Sequence, residues 1–228
     1  MSEQSSVERE RVTDTELLAK YEELYTPAIA DVLHEYGHEE QTLDPQITPL
    51  EDGMNVVGSA FPIVGRPNRS VDADEVLGRF LEMHEDVPED GVMIYDTNDT
   101  TSAHLGELEV TSLQPSGVAG AVIDGGVRDT SVIRDRGFPV FNKYTSPVDC
   151  IFRWELLDWN TDAVVGGVRV SPGDIVVGDG DGVVVVPQEI AEEVAEDAHD
   201  MATSEDAVRD ALEEGVEATE AYEEHGTF

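Results

Sequence analysis

Three short apolar runs constrain this chain most: Gly91 to Tyr95, Val118 to Ile123 and Pro139 to Phe141, each bounded by Gly, Asp or Pro. Between the first two, Leu105 to Leu113 reads as a helix. Short buried strands alternating with helices imply a partly parallel sheet with crossover connections, so the expectation is an α/β fold. Upstream, Thr15 to Glu23 reads as a helix. Thr26-Pro27 then supplies a cap and a first-turn proline for a second helix, Ala28 to Tyr36, stopped by Gly37, with Ile29, Val32 and Leu33 as its apolar stripe. Within Gly53 to Val64, the residues Val56, Val57, Ala60, Phe61 and Ile63 suggest a strand, followed by an amphipathic helix around Ala73 to His84.

From residue 163 the character changes. Val164-Val165, Val168 to Val170, Ile175 to Val177 and Val183 to Val186 are closely spaced strands, separated by Gly-Gly, Pro-Gly and Asp-Gly turns, which is an antiparallel pattern. The segment Gln188 to Tyr222 reads as acidic and helical, long enough to pack on a neighbouring subunit. A single domain over 1–228 is expected, with 1–12 flexible and 188–228 a helical tail.

Composition narrows the function classes. Asp and Glu number 51 against 13 for Lys and Arg, a net charge of -38, yet 39% of residues are apolar, so the chain reads as folded rather than disordered. Crowded carboxylates repel over about 10 Å at 0.1 M salt but only about 3 Å at 1 M. Such a surface suits a salty cytoplasm. With only Lys20 and Lys143 as lysines and no basic stripe, nucleic-acid binding is not expected. Cys150 stands alone, which excludes an internal disulfide and a multi-cysteine zinc site and fits a reducing cytoplasm. Met1 to Glu10 lacks a signal-peptide pattern, and no run approaches the ~18 apolar residues of a membrane span.

Several motifs reduce to bland readings. Gly178-Asp-Gly-Asp-Gly182 lacks the last glycine of a dinucleotide fingerprint, since residue 183 is Val, and reads as a hairpin turn. Asp96, Asn98 and Glu107 fit positions of a calcium loop, but Thr101 stands where Gly is required. His34, His38, His84, His104, His199 and His225 show no metal-binding pairing, and most are expected on the solvated surface. Asp124-Gly-Gly-Val-Arg128-Asp129 follows the run Val118 to Ile123, where open α/β sheets place ligands. It can equally be a glycine turn carrying a structural Arg–Asp pair, with Asp124 as a turn residue.

The segment GVAGAVIDGGVRDTSVIRDRGFPVF, residues 117 to 141, resembles the signature region of the RraA-like family. That family contains regulators of ribonuclease activity and 4-hydroxy-4-methyl-2-oxoglutarate aldolases. Further similarity lies in TPAIADVLHEYG (26 to 37), VVGSAFPIVG (56 to 65), HLGELE (104 to 109) and VSPGDIVVGDGDGVVVVP (170 to 187). The resemblance implies a swivelling β/β/α domain with N-terminal helices and a C-terminal helical tail, assembled as a homotrimer or homohexamer. It also implies a metal-dependent lyase that cleaves 4-hydroxy-2-oxo dicarboxylic acids to pyruvate, with oxaloacetate decarboxylation as a side activity. The alternative is a non-catalytic regulator of a ribonuclease or another protein.

In aldolase members an acidic residue stands twenty residues before the Arg-Asp pair; here it is Glu107, with Arg128-Asp129 following. A 2-oxo acid needs a cationic clamp, a metal that polarises its carbonyl and a base, roles suited to Arg128, Asp129 and Glu107 in turn. Gly106, Leu108 and Glu109 would place backbone amides beside the bound carboxylate at a helix start. Asp129 matches the family's metal ligand, with Mg2+ or Mn2+ as the expected cofactor. The family's glutamate from an adjacent subunit corresponds to Glu205, ten residues before Gly215. A Schiff-base lysine has only Lys20 and Lys143 as candidates, so metal-assisted chemistry is favoured.

Overall fold

The computed structural model describes residues 13–225, so the expectation for residues 1–12 falls outside the described residues. In chain order the elements are α1 (Thr15–Glu22), α2 (Thr26–Glu35), β1 (Thr48–Pro49), β2 (Val56–Pro67), α3 (Ala73–Asp86), β3 (Gly91–Asp96), α4 (Glu107–Leu113), β4 (Gly120–Val127), α5 (Thr130–Arg136) and β5 (Val140–Thr145). They continue with β6 (Trp154–Trp159), β7 (Ala163–Val165), β8 (Val168–Val170), β9 (Ile175–Gly178), β10 (Val183–Val186), α6 (Ala191–Glu213) and α7 (Ala218–His225).

Strands β2, β3, β4 and β5 run parallel and adjacent, and each crossover between them carries a helix, α3, α4 or α5. Strands β9 and β6 pair antiparallel with successive halves of the long β2, β10 extends β9, and β1 covers the β5 edge. Side chains alternate across these strands. Phe61, Ile63, Met93, Tyr95, Ala121 and Ile123 face Val76, Phe80 and Met83 of α3, Val110 and Leu113 of α4 and Ile133 of α5. Their neighbours Ala60, Val92, Ile94, Val122 and Phe141 face the opposite way, onto Val165, Val168 and Val170 of the separate β7–β8 hairpin. The layers are therefore hairpin, sheet and helices, the β/β/α order implied by the resemblance. Double-faced burial explains why the strands read as unbroken apolar runs. Each fully buried Val, Leu or Phe contributes about 1.5–3 kcal/mol.

A third core lies where α1, α2 and α6 cover β9 and β10, joining Ile29, Val32 and Leu33 to Val184, Val186, Val194 and Ala198. The tail is thus not one continuous helix. Its first part packs on its own chain through Ala191, Val194, Ala195 and Ala198, and the helix breaks at Gly215, which has φ +92°.

Other expectations needed correction. Thr26 does not cap α2; the cap residue is Tyr25, and Asp179 supplies the acceptors, 2.8 Å from the Thr26 N–H and 2.7 Å from its hydroxyl. The Gly178–Gly182 hairpin therefore seals a helix start. Helix α4 begins two residues later than expected because its cap residue Gly106 is extended and the Leu105 carbonyl accepts the Arg128 N–H at 3.0 Å. Strands β4 and β5 outrun their apolar cores, because ladder pairing to neighbours continues through polar residues such as Asp124 and Lys143. β6 and α5 escaped the sequence reading. The first exposes Leu157 among its alternating residues, and the second has only 7 residues, too few for a periodic stripe.

Candidate active site

Three segments are laced together at the carboxyl ends of β3 and β4. Ala103 bridges both Gly126 and Asp149, the His104 N–H donates to the Gly126 carbonyl at 2.8 Å, and the Cys150 N–H donates to the Ala103 carbonyl at 3.2 Å. This stitching brings Gly106, Arg128 and Asp149 to one point. The expected glycine turn is instead strand: β4 runs through Asp124-Gly125-Gly126 with a register shift between Ile123 and Gly126. A Cβ on Gly126 would meet the Tyr144 ring and the Ser102 carbonyl, so only glycine lets the three segments close up.

Arg128 directs Nη1 to Asp149 at 2.9 Å and Nε toward Asp129 at 3.6 Å, while its side chain stays 35% exposed. Asp149 carried no sequence signal, because it precedes Cys150 in an irregular loop. Asp129 has φ +55°, in the left-handed region uncommon for non-glycine residues, and its carbonyl opens α5. Its Oδ2 accepts the Glu107 N–H at 3.3 Å. A Cβ on Gly106 would lie 2.9 Å from Asp129 Oδ2 and 3.1 Å from Arg128 Nε. Gly106 therefore makes room for the Arg–Asp pair.

The start of α4 is held from the other side. The Gly106 N–H donates to Glu109 Oε2 at 2.8 Å, and Glu109 Oε1 lies 3.3 Å from His84 Nε2 on α3. The Gly106 amide is thus engaged within the protein, whereas those of Leu108 and Glu109 lie in the first turn of α4, where backbone amides lack a regular helical acceptor. Glu107 is the first residue of α4, partly exposed, and its carboxylate accepts from the Thr111 hydroxyl at 3.3 Å. Arg128, Asp129, Glu107, Leu108, Glu109 and Gly106 all line one cavity of about 520 Å3, whose opposite wall is Leu77, Phe80, Leu81, Ile151 and Phe152.

Glu205 does not line this cavity. It stands on α6, where the Tyr25 hydroxyl donates to its carboxylate; burial first, and then this bond, push the Tyr25 hydroxyl up to about 12.

While most histidines were expected on the surface, two are buried, His84 in the cavity lining and His104 in the loop before α4. His104 lies edge-on to Trp154 and 3.5 Å from Asp99, and burial lowers its imidazole to about 4 despite that carboxylate. Asp124 is no turn residue; it pairs with Lys143 at 2.6 Å, and Lys143 reaches Asp44 at 2.9 Å. Burial acts to lower the Lys143 ammonium, but hydrogen bonds and charge from Asp124 and Asp44 outweigh it and raise it. A Schiff-base lysine needs the opposite shift.

The layered fold and the guanidinium at the strand ends define the class: a β/β/α protein with an arginine held between two aspartates beside a cavity. The chain belongs to the RraA-like family, whose profile, described as Aldolase/RraA, matches residues 26–185. A relative from Halalkalibacterium halodurans, named "Putative 4-hydroxy-4-methyl-2-oxoglutarate aldolase", is 28% identical over 209 residues, covering 92% of this chain and 94% of its own. RraAS2 of Streptomyces coelicolor, described as an unusual member of the RNase ES inhibitor RraA protein family, is 29% identical with a TM-score of 0.79, over 86% of this chain and 98% of its own. A crystal structure described as "novel cellulases from microbes associated with the gut ecosystem" superposes with a TM-score of 0.80 at 34% identity, over 88% of this chain and 90% of its own.

Proposed function

We propose that this protein is a divalent-metal-dependent carbon–carbon lyase acting on 4-hydroxy-2-oxo acids and releasing pyruvate. The observation that carries this reading is the convergence of Arg128, Asp129 and Glu107 with the first turn of α4, at Leu108 and Glu109, in one cavity. The aldolase name of the relative from H. halodurans points the same way.

Arg128 binds the substrate carboxylate. A guanidinium has five N–H donors, and Asp149 and Asp129 occupy only two of its nitrogens, so a face remains for a bidentate partner. The Leu108 and Glu109 amides add donors on the same side. Around the one guanidinium the cavity carries four carboxylates, Glu107, Glu109, Asp129 and Asp149, so an anionic substrate meets net negative charge until a cation arrives. Asp129 fits such a cation: its side chain is 41% exposed, and its Oδ1 has no partner among the described residues. Among the described residues no three His, Cys, Asp or Glu side chains are placed to hold one metal ion together, so the remaining positions would fall to water and substrate oxygens, as suits Mg2+ or Mn2+. Held by Asp129, such a metal would supply Lewis-acid polarisation of the 2-oxo carbonyl. Glu107 takes the proton of the 4-hydroxyl, directly or through a water, and the C3–C4 bond breaks. Oxaloacetate decarboxylation would use the same clamp, since its broken bond is also α to the carbonyl.

The site is completed in a homotrimer or homohexamer, in which Glu205 of a neighbouring copy comes to the cavity. Four large apolar side chains at the mouth support a covered rim, Leu77, Leu81, Leu108 and Phe152, the most exposed being Leu108 at 75%. The same rim favours a second reading, a regulator that docks on a ribonuclease or other protein. Pyruvate release from 4-hydroxy-2-oxo acids at high salt, with Mg2+ or with EDTA, separates the two. Metal-dependent release is expected, and its absence with every substrate leaves the regulator. Mixed oligomers of Arg128→Ala and Glu205→Gln should regain part of the activity each variant lacks. No recovery in verified mixed oligomers would remove Glu205 from the site.

A further inference from the structure

The dicarboxylic substrates suggested by the aldolase name share their pyruvyl half with every 4-hydroxy-2-oxo acid, and the Arg128 end of the cavity selects only that half. Resting on that reading, we propose that the distal half of the substrate is apolar: a monocarboxylic 4-hydroxy-2-oxo acid whose C4 carries an alkyl or aryl tail, lying along Leu77, Phe80, Leu81, Ile151 and Phe152.

Charge is the first argument. Among the described residues Arg128 is the only Lys or Arg lining the cavity, and the other basic side chain there, His84, faces Glu109 at 3.3 Å. The remaining ionisable lining groups are the thiol of Cys150 and the carboxylates Glu107, Glu109, Asp129 and Asp149. A second substrate carboxylate would lie either among these like charges or against the apolar wall, losing water without a partner in both cases.

Most of the described basic side chains outside the cavity are already engaged within the chain. Among the described residues Arg66 is held by Glu155, Arg169 by Asp162, Arg209 by Asp206, Lys20 by Glu196, and Lys143 by Asp44 and Asp124. Arg134 donates to the Leu50 carbonyl, and Arg79 donates to the Leu157 carbonyl while covering the Trp159 ring. That leaves Arg69, Arg136 and Arg153 as the described arginines outside the cavity without such a partner, and none of them lines it. Apolar surface at the cavity is plentiful.

The second argument is continuity. Phe80, Ile151 and Cys150 form a wall of the same cavity that holds Arg128, so a substrate anchored by its carboxylate must run its other end along apolar groups. Cleavage needs nothing beyond the groups already named. The 4-hydroxyl gives up its proton, the C3–C4 pair moves to C3, C3 takes a proton to become the methyl of pyruvate, and C4 departs as an aldehyde carrying the tail.

The test compares 4-hydroxy-2-oxo acids with methyl, propyl and pentyl groups on C4 against 4-hydroxy-2-oxoglutarate, using the full chain with Mg2+ at high salt. kcat/KM should rise about fourfold per added methylene until the wall is covered. The dicarboxylate should fall at least tenfold below the pentyl compound. Leu81→Arg, at a position 56% exposed, should keep the fold and swing the preference at least tenfold toward the dicarboxylate. Wild-type preference for the dicarboxylate, or indifference to tail length, overturns the proposal. Calorimetric binding of 2-oxooctanoate and 2-oxoglutarate decides the point without turnover. Tighter 2-oxooctanoate binding with no pyruvate from any substrate would defeat the lyase reading and leave the apolar pocket standing. Equal or tighter 2-oxoglutarate binding, or no binding of either, overturns the pocket itself.

Discussion

Arg128 and Lys143 are two basic side chains, each set between two aspartates near the ends of the parallel strands, and they have opposite fates. Lys143 is 22% exposed and clasped at 2.6 and 2.9 Å by Asp124 and Asp44, while Asp124 also accepts the Gly166 N–H at 2.9 Å, locking the β7–β8 turn to the sheet. Its compact charge is consumed. Arg128 has one close partner, Asp149, a second at 3.6 Å, and a planar fork with donors to spare, opening on a cavity of about 520 Å3. The same local charge pattern thus makes a rivet in one place and a binding site in the other. What separates them is the donor geometry of the cation and the space left beside it.

The comparison breaks most readily by exchanging losses. Arg128→Ala should weaken pyruvate binding by about 2–5 kcal/mol while leaving the melting temperature close to wild type, because the guanidinium's remaining donors face the cavity. Lys143→Met should do the reverse, costing on the order of 2 kcal/mol of stability, reduced by its partial exposure, with pyruvate binding unchanged. Calorimetry and thermal melts on both variants check the pair. A destabilised Arg128→Ala with normal binding would show that the two roles had been assigned the wrong way round.

A finer test uses two titrating groups near the two clusters. His104, beneath the Arg128 loops, is lowered to about 4 from 6.5, chiefly by burial. Between those values the unfolded chain takes up a proton that the folded chain refuses, so stability present above pH 6.5 is lost as pH falls toward 4, by up to about 3 kcal/mol. Asp96, next to Asp124 in the ladder, is raised to about 6 from 3.8 by burial and then by the Asp124 charge. Here the folded chain keeps the proton that the unfolded chain releases, so stability is lost as pH rises from about 4 to about 6. Asp96→Asn should therefore stabilise the protein at pH 7 by about 1 kcal/mol, discounted for the carboxyl's exposure. Denaturant melts between pH 4.5 and 7.5 should show the two opposed slopes, with only the second lost in Asp96→Asn. A variant with wild-type stability at pH 7 would remove the Asp96–Asp124 coupling.

Much of the scaffold was legible in the sequence, because double-faced burial leaves a direct trace: Gly91 to Tyr95 and Val183 to Val186 read as strands and are strands. Arg128, Asp129 and Glu107 could be singled out from the resemblance, and the structure brings the three to one cavity. What escaped depends on contacts remote in sequence. Asp149 matters only because Ala103 bridges it to Gly126, and Asp124 turned from a presumed turn residue into a ladder residue because Lys143 lies beside it. That His84 and His104 are the buried exceptions among the histidines escaped the sequence, because neither the last turn of α3 nor the loop before α4 shows in its own residues what the fold presses against it. No periodicity encodes such meetings.

The central claim, that Arg128 and Asp129 form one metal-assisted site for a 2-oxo acid, is tested most directly by linkage between the two ligands. Mn2+ binding should be titrated with and without pyruvate, in wild type and in Asp129→Asn. If Asp129 holds the metal beside the Arg128 clamp, pyruvate should tighten Mn2+ binding at least tenfold in wild type, Mn2+ should tighten pyruvate binding by the same factor, and Asp129→Asn should abolish both effects. Equal Mn2+ affinity with and without pyruvate, or undiminished coupling in Asp129→Asn, would contradict it.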